Sequence, residues 1–357
     1  MKLAPDPRVA RHQRVAHGGP FSARYRGHIL DFSSSINPMG APTAARFIDP
    51  DSLETYPDPD SHALRTAISE YICSPYQNVV VGNGATEIIY NFCRTFVLED
   101  MPVLIPVPTF GEYKAACLLS GARIIHYPTM NQSRYVDGML PHIPARGCVF
   151  ICNPNNPTGS LLSKSDMLRL ARRALDMETM LFVDECFMEL VFDRSESLLP
   201  LPEYDNLFVL RSMTKSFALA GARIGYGVGS ADAVALLNKI KIPWNVSGLA
   251  QKAAQLALSD ESYLAQSREM IRREAEYLTE RISGIPGFCC VRPSANFILI
   301  RTESDSKSIH RRLLRRGILV RDCSSFDGFD GGHNNYIRVA VRSREDNKRL
   351  VEELAAV

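Results

Sequence analysis

Lys215 closes the tetrapeptide Ser212-Met213-Thr214-Lys215, behind the apolar run LFVLR at 207–211 and ahead of a small-residue loop that ends at Arg223. A lysine amine becomes a nucleophile only after losing its proton, and a nearby cation or exclusion of water favours that loss. Ser212 and Arg223 are spaced to reach one phosphate beside that amine. Lysine and phosphate grip together suit a cofactor with both an aldehyde, for a Schiff base, and a phosphate, which describes pyridoxal phosphate.

Other chemistry-bearing residues follow apolar runs in the same way. Gly82-Asn83-Gly84-Ala85-Thr86-Glu87 comes after NVVV and opens a helical pattern, where free amides and the helix dipole favour a phosphate. It is a poor dinucleotide fingerprint, because Glu87 occupies the place of the third glycine. Asp184 ends MLFV, and a carboxylate walled off from water needs a cation, such as a protonated pyridine nitrogen. Asn153 to Gly159, reading NPNNPTG, follows CVFIC. Each stretch alone is an ordinary turn or cap; at successive strand ends they form one constellation, where ligands bind in open α/β sheets.

The elements that must carry these residues are legible in the pattern. Apolar runs at 102–107, 123–127, 148–152, 180–185, 207–211 and 224–229 predict strands, several of them apolar throughout as strands covered on both faces are, and they alternate with helical stretches such as 163–176, capped by Ser163. This is an α/β signature with a mostly parallel central sheet. Beyond residue 259 come a long charged helix at 261–282 and shorter strand and helix patterns at 297–301, 308–317, 318–322 and 336–342, which predict a smaller α+β part. The expected division is a large domain over 50–255 and a small one joining 1–49 to 256–357.

Composition narrows the partners. The 357 residues carry 41 basic and 39 acidic side chains, a net charge of +2, which supplies no field for a nucleic acid or an anionic membrane. Of the basic residues 32 are arginine and 9 lysine, an excess of planar forks suited to small anions. No apolar run approaches the roughly 20 residues that span a bilayer, and the first 19 residues show no leader core, so a cytoplasmic protein is expected. Nine scattered cysteines without a C-x-x-C pair favour reduced thiols over a disulfide framework or a metal site.

In order and spacing, GNGATE, PTFGEY, NPNNPTG, VDE, SMTK and Arg223 resemble the fold-type I pyridoxal-phosphate aminotransferase superfamily over nearly the whole chain. The resemblance implies that Lys215 holds the cofactor covalently, Asp184 pairs with its pyridine nitrogen, Asn156 bonds its ring hydroxyl and Phe110 stacks on its ring. Gly84, Ala85, Thr86, Ser212, Thr214 and Arg223 are implied around the cofactor, chiefly at its phosphate. Tyr56 resembles a tyrosine that reaches that phosphate across a homodimer interface.

AHGG at 16–19, DFSSSINPMG at 31–40, PWNVSGLAQ at 243–251, VRDCSSF and YIRVAVRS are similar to a narrower group, the threonine-phosphate decarboxylases of cobalamin biosynthesis, relatives of the histidinol-phosphate aminotransferases. Phe187, where many aminotransferases place a tyrosine, is compatible with that group. The implied reaction is decarboxylation of L-threonine O-3-phosphate to (R)-1-aminopropan-2-yl phosphate. Implied substrate anchors are His17, Gly18, Gly19, Asn37, Asn156, Arg321, Arg338 and Arg342, the last on the face of Arg338 if the strand is regular. Rival readings are a phospho-amino-acid aminotransferase, serine phosphate as the preferred substrate, and a non-catalytic regulator.

Overall fold

Strands apolar at every position need helices on both faces, and the runs at 148–152 and 207–212 are buried throughout their length. The computed structural model describes residues 5–22, 27–46, 53–130, 135–192, 194–200, 204–329 and 335–357. Among these the strands are β1 (Leu30–Asp31), β2 (Val79–Asn83), β3 (Pro102–Val107), β4 (Arg123–Pro128), β5 (Cys148–Cys152), β6 (Met180–Asp184), β7 (Leu207–Ser212), β8 (Ile224–Val228), β9 (Phe288–Cys290), β10 (Phe297–Thr302), β11 (Ile318–Leu319), β12 (Arg321–Asp322) and β13 (Tyr336–Ala340).

Seven strands form one sheet in the order β2-β8-β7-β6-β5-β3-β4. Only β8 runs against the others, so β2, β3, β5, β6 and β7 deliver their carboxyl ends to the same edge. The helix Ala85–Phe96 buries Ile88, Ile89, Phe92 and Cys93 against this sheet. Phe92 meets the rings of Phe150, Phe182 and Phe208 at 5.9, 4.7 and 5.2 Å between centroids. The predicted helix at 163–176 is Lys164–Asp176, and the Ser163 hydroxyl accepts from the Asp166 amide at 3.1 Å.

A second, antiparallel sheet has the order β12-β13-β10-β9, and β1 pairs in parallel with β11. Thus the amino-terminal segment joins the carboxyl-terminal part, with buried Phe32 in the core of that part. Two predictions change in detail. The run at 318–322 is split at Val320, because β11 pairs with β1 while β12 pairs with β13. The strand expected to reach residue 342 stops at Ala340, whose amide bonds to the Phe32 carbonyl at 2.8 Å.

Candidate active site

The carboxyl ends of β2, β3, β5, β6 and β7 open on a cleft of about 990 Å³, lined from the large sheet, the small sheet and the amino-terminal segment. Lys215 sits on the helical turn Met213–Ser216 directly after β7, which turns its side chain into this cleft. The ammonium has neither a hydrogen-bond nor a carboxylate partner among the described residues. Burial, followed by the charges of Arg338 and Arg223, pulls the lysine down to about 8. A reactive amine near neutral pH is the result.

The phosphate end is built from backbone. Gly84, at φ +79°, precedes the uncapped helix Ala85–Phe96, and a Cβ on Gly84 would lie 2.5 Å from Arg223 Nη2. Gly225 on β8 lies under the same turn, since its Cβ would sit 2.5 Å from the Ala85 amide nitrogen. Ala85, Thr86, Ser212, Thr214 and Arg223 all line the cleft here, and the free amides at the helix start suit an anion. Among the described residues the Arg223 side chain, on a backbone at φ +61°, donates only to the Ala220 carbonyl, at 3.2 Å.

Asp184 closes β6 at 5% exposure. It accepts from Tyr113 Oη at 2.6 Å and the Cys186 amide at 2.8 Å, with no cation paired to it among the described residues. Burial pushes this carboxyl up, the state a protonated ring nitrogen would correct. Glu185, one residue on, is paired separately with Arg211 at 2.7 Å and accepts from Ser197 Oγ at 2.9 Å. Phe110 lines the cleft, its ring edge-on to Tyr113 at 5.6 Å. An unpartnered amine, a carboxyl lacking its cation, a ring wall and a glycine-cleared phosphate cradle fit pyridoxal phosphate.

Two arginines face this cofactor place from the small sheet. Arg338 on β13 is 7% exposed, donates to Asn156 Oδ1 and to the Ser33 carbonyl at 2.8 Å, and leaves Nε without a partner. Arg321 on β12 is its cross-strand neighbour, held by the Ala16 carbonyl at 2.8 Å and Ser325 Oγ at 2.9 Å. Burial lowers both, Arg338 to about 10. Like charges directly opposite are unfavourable, so this pair is arranged for an anion.

The other anchors divide. His17 and Gly18 line the cleft, and Gly18 passes so close to Ser33 that a Cβ would meet its carbonyl oxygen at 2.6 Å. The Gly19 amide bonds to Ser33 Oγ at 2.7 Å, behind the lining. Asn37 does not reach the cleft. Its amide group donates to the Ser216 carbonyl and Ser267 Oγ, both at 2.8 Å, and so braces the Lys215 turn from behind. Arg342 also lies outside the lining: β13 ends before it, and it pairs with Asp346 at 2.9 Å. Tyr56 is 82% exposed, outside the cleft, against Trp244 at 4.9 Å. Sequence reasoning passed over Tyr113, Cys186 and Glu112; the first and last stood inside the quoted motif PTFGEY.

The aminotransferase class I and II family model matches residues 28–354. A threonine-phosphate decarboxylase of Salmonella typhimurium is 33% identical over 96% of this chain and 96% of its own. A histidinol-phosphate aminotransferase of Ruminiclostridium cellulolyticum is 31% identical over 95% of each. The solved histidinol-phosphate aminotransferase of Sinorhizobium meliloti, in complex with pyridoxal-5'-phosphate, matches with a TM-score of 0.86 at 22% identity, covering 98% of this chain and 96% of that one, a likeness of fold. A lysine turn, carboxyl, ring wall and phosphate cradle in one cleft thus accompany a match along almost the whole sequence, and the chain belongs to the aminotransferase class I and II family.

Proposed function

We propose that this protein decarboxylates L-threonine O-3-phosphate to (R)-1-aminopropan-2-yl phosphate, the aminopropanol unit of the cobalamin nucleotide loop. Pyridoxal phosphate is the cofactor of the family, and when bound it supplies an electron sink for a bond broken at the substrate's Cα. Lys215 would hold it covalently; Asp184 would hold a proton at its ring nitrogen; Asn156, Phe110, Ala85, Thr86, Ser212, Thr214 and Arg223 would fix its ring and phosphate.

The carrying observation is the pair Arg321 and Arg338, two cations opposite each other in one cleft, neither of them in an ion pair with a carboxylate among the described residues. They call for a substrate with more than one anionic group. Threonine phosphate brings a carboxylate and a phosphate on the same small molecule. Arg338, a cleft-lining guanidinium of the kind that donates to both oxygens of one carboxylate, is assigned the carboxylate, and Arg321 with His17 the phosphate. Fixing both ends decides which Cα bond stands ready to break, a matter of orientation rather than of reactive groups. Lys215, with its lowered affinity for protons, is the group that returns a proton to Cα.

A second reading rests on the histidinol-phosphate aminotransferase relatives at nearly the same identity. Holoenzyme incubated with threonine phosphate separates the two: carbon dioxide released without an oxo acid supports decarboxylation, whereas strict dependence on 2-oxoglutarate supports amino transfer. Threonine and serine phosphate differ by one methyl, worth about 1–3 kcal/mol, and competition kinetics would rank them.

A further inference from the structure

Glu112 opens the helix Glu112–Leu119 and is buried behind the cleft lining, yet among the described residues neither an arginine nor a lysine pairs with it. Its carboxylate accepts from Tyr90 Oη at 2.7 Å and lies 2.7 Å from His17 Nε2. Burial raises this carboxyl, but the bonds with His17 and Tyr90 outweigh it and hold the group below its usual range. A buried anion thus stands directly behind His17.

His17 comes from the amino-terminal segment, 95 residues earlier in the chain, and tilts against Phe110 with ring centroids 5.9 Å apart. With Nε2 committed to Glu112, Nδ1 is the nitrogen left to face the cleft, and it has no partner among the described residues. The hydrogen bond made by one ring nitrogen sets what the other can do. An imidazole that donates at both nitrogens is an imidazolium, suited to stand between two anions.

We propose, on the reading that the substrate is a phosphate monoester, that Glu112 is a positioning residue for phosphate recognition: braced by Tyr90, it orients His17 so that Nδ1 donates to the substrate's phosphate. Tyr90 approaches from the helix Ala85–Phe96, and His17 and the more distant His12 from the amino-terminal segment; these are the titratable groups that act on Glu112. Without the carboxylate, His17 is half exposed and free to turn or change tautomer, and the donor is lost while Lys215, Asp184 and Arg338 stay in place. The effect is therefore specific to phosphate.

The test uses holoenzyme carrying Glu112→Gln or Tyr90→Phe. For Glu112→Gln the KM for O-phospho-L-threonine should rise about tenfold or more, the loss of one charge-assisted hydrogen bond. kcat should stay within about twofold, and Tyr90→Phe should move the same way by less. The dissociation constant of inorganic phosphate should rise in parallel, while that of L-threonine, followed by cofactor absorbance, should not move. Equal weakening of phosphorylated and unphosphorylated ligands, or a fall in kcat at constant KM, would overturn the assignment. Should Glu112→Gln not fold, Tyr90→Phe decides by the same criteria. If the wild type releases no carbon dioxide, the decarboxylase reading fails, and the inorganic phosphate titration still decides the role of Glu112.

Discussion

At the residue scale, Lys215 makes a pH prediction with a definite sign. Its value near 8 lies below the 10.5 of an ordinary lysine. The neutral amine gains population as pH rises through about 8, so capture of pyridoxal phosphate by apoprotein should accelerate with pH and level off above that point, read by absorbance. Lys215→Arg, which cannot deprotonate, should show no capture. The same shift is a stability statement: between about 8 and 10.5 the unfolded chain binds the proton more strongly, so this group makes the apoprotein more stable as pH rises across that window. Asp184 acts in the opposite sense, because its raised value means the folded state holds the proton and loses that contribution as pH rises. The arginines separate by partner. Arg338→Lys should lower kcat/KM by about 1.5–3 kcal/mol, roughly 10- to 150-fold, through loss of the fork. Arg342→Ala removes a partly exposed ion pair with Asp346 and should change kcat/KM by less than about twofold.

At the element scale, strand ends decide the site. The apolar runs at 102–107 and 148–152 coincide with β3 and β5, because strands buried on both faces leave an unbroken apolar signal. Lys215, Asp184, Asn156 and the 82–87 turn were legible as candidates for the same reason: each lies at the carboxyl end of such a run or within four residues of it. Arg342 and Asn37 were not, since alternation along a strand says nothing after the strand ends, and a buried polar side chain does not reveal whether it faces a ligand or the back of a turn. Glu112 was hidden likewise, its partner His17 lying far off in sequence. The cradle gives a prediction here: Gly225→Ala places a Cβ 2.5 Å from the Ala85 nitrogen and 2.9 Å from the Gly84 carbonyl carbon. Backbone against backbone cannot yield cheaply, so stability should fall by about 1–3 kcal/mol in denaturant titration, together with cofactor affinity.

At the scale of the whole molecule, the cleft closes only because distant parts of the chain meet. β1 joins the amino-terminal segment to β11, and Arg321 ties the Ala16 carbonyl to the small sheet. No helix among the described residues is long and apolar enough to cross a membrane. The Tyr56 and Trp244 rings meet tilted in the open, 82% and 49% exposed, with Ile242 exposed at 65%. Single exposed apolar residues need no account, but a clustered aromatic patch calls for a cover. We propose that a second copy of this chain covers it and that Tyr56 serves the partner's cofactor phosphate. Trp244→Asp should then shift sedimentation from dimer to monomer and weaken cofactor retention, whereas a wild-type monomer with full activity would contradict this. On the proposed function the paired cations and Lys215 serve loss of a carboxylate rather than exchange of an amine. Carbon dioxide released from threonine phosphate by holoenzyme, with no oxo acid added and with Lys215→Ala beside it, measures this. Stoichiometric carbon dioxide and aminopropanol phosphate from the wild type, and none from the variant, is the expected result; no release without 2-oxoglutarate would contradict the claim.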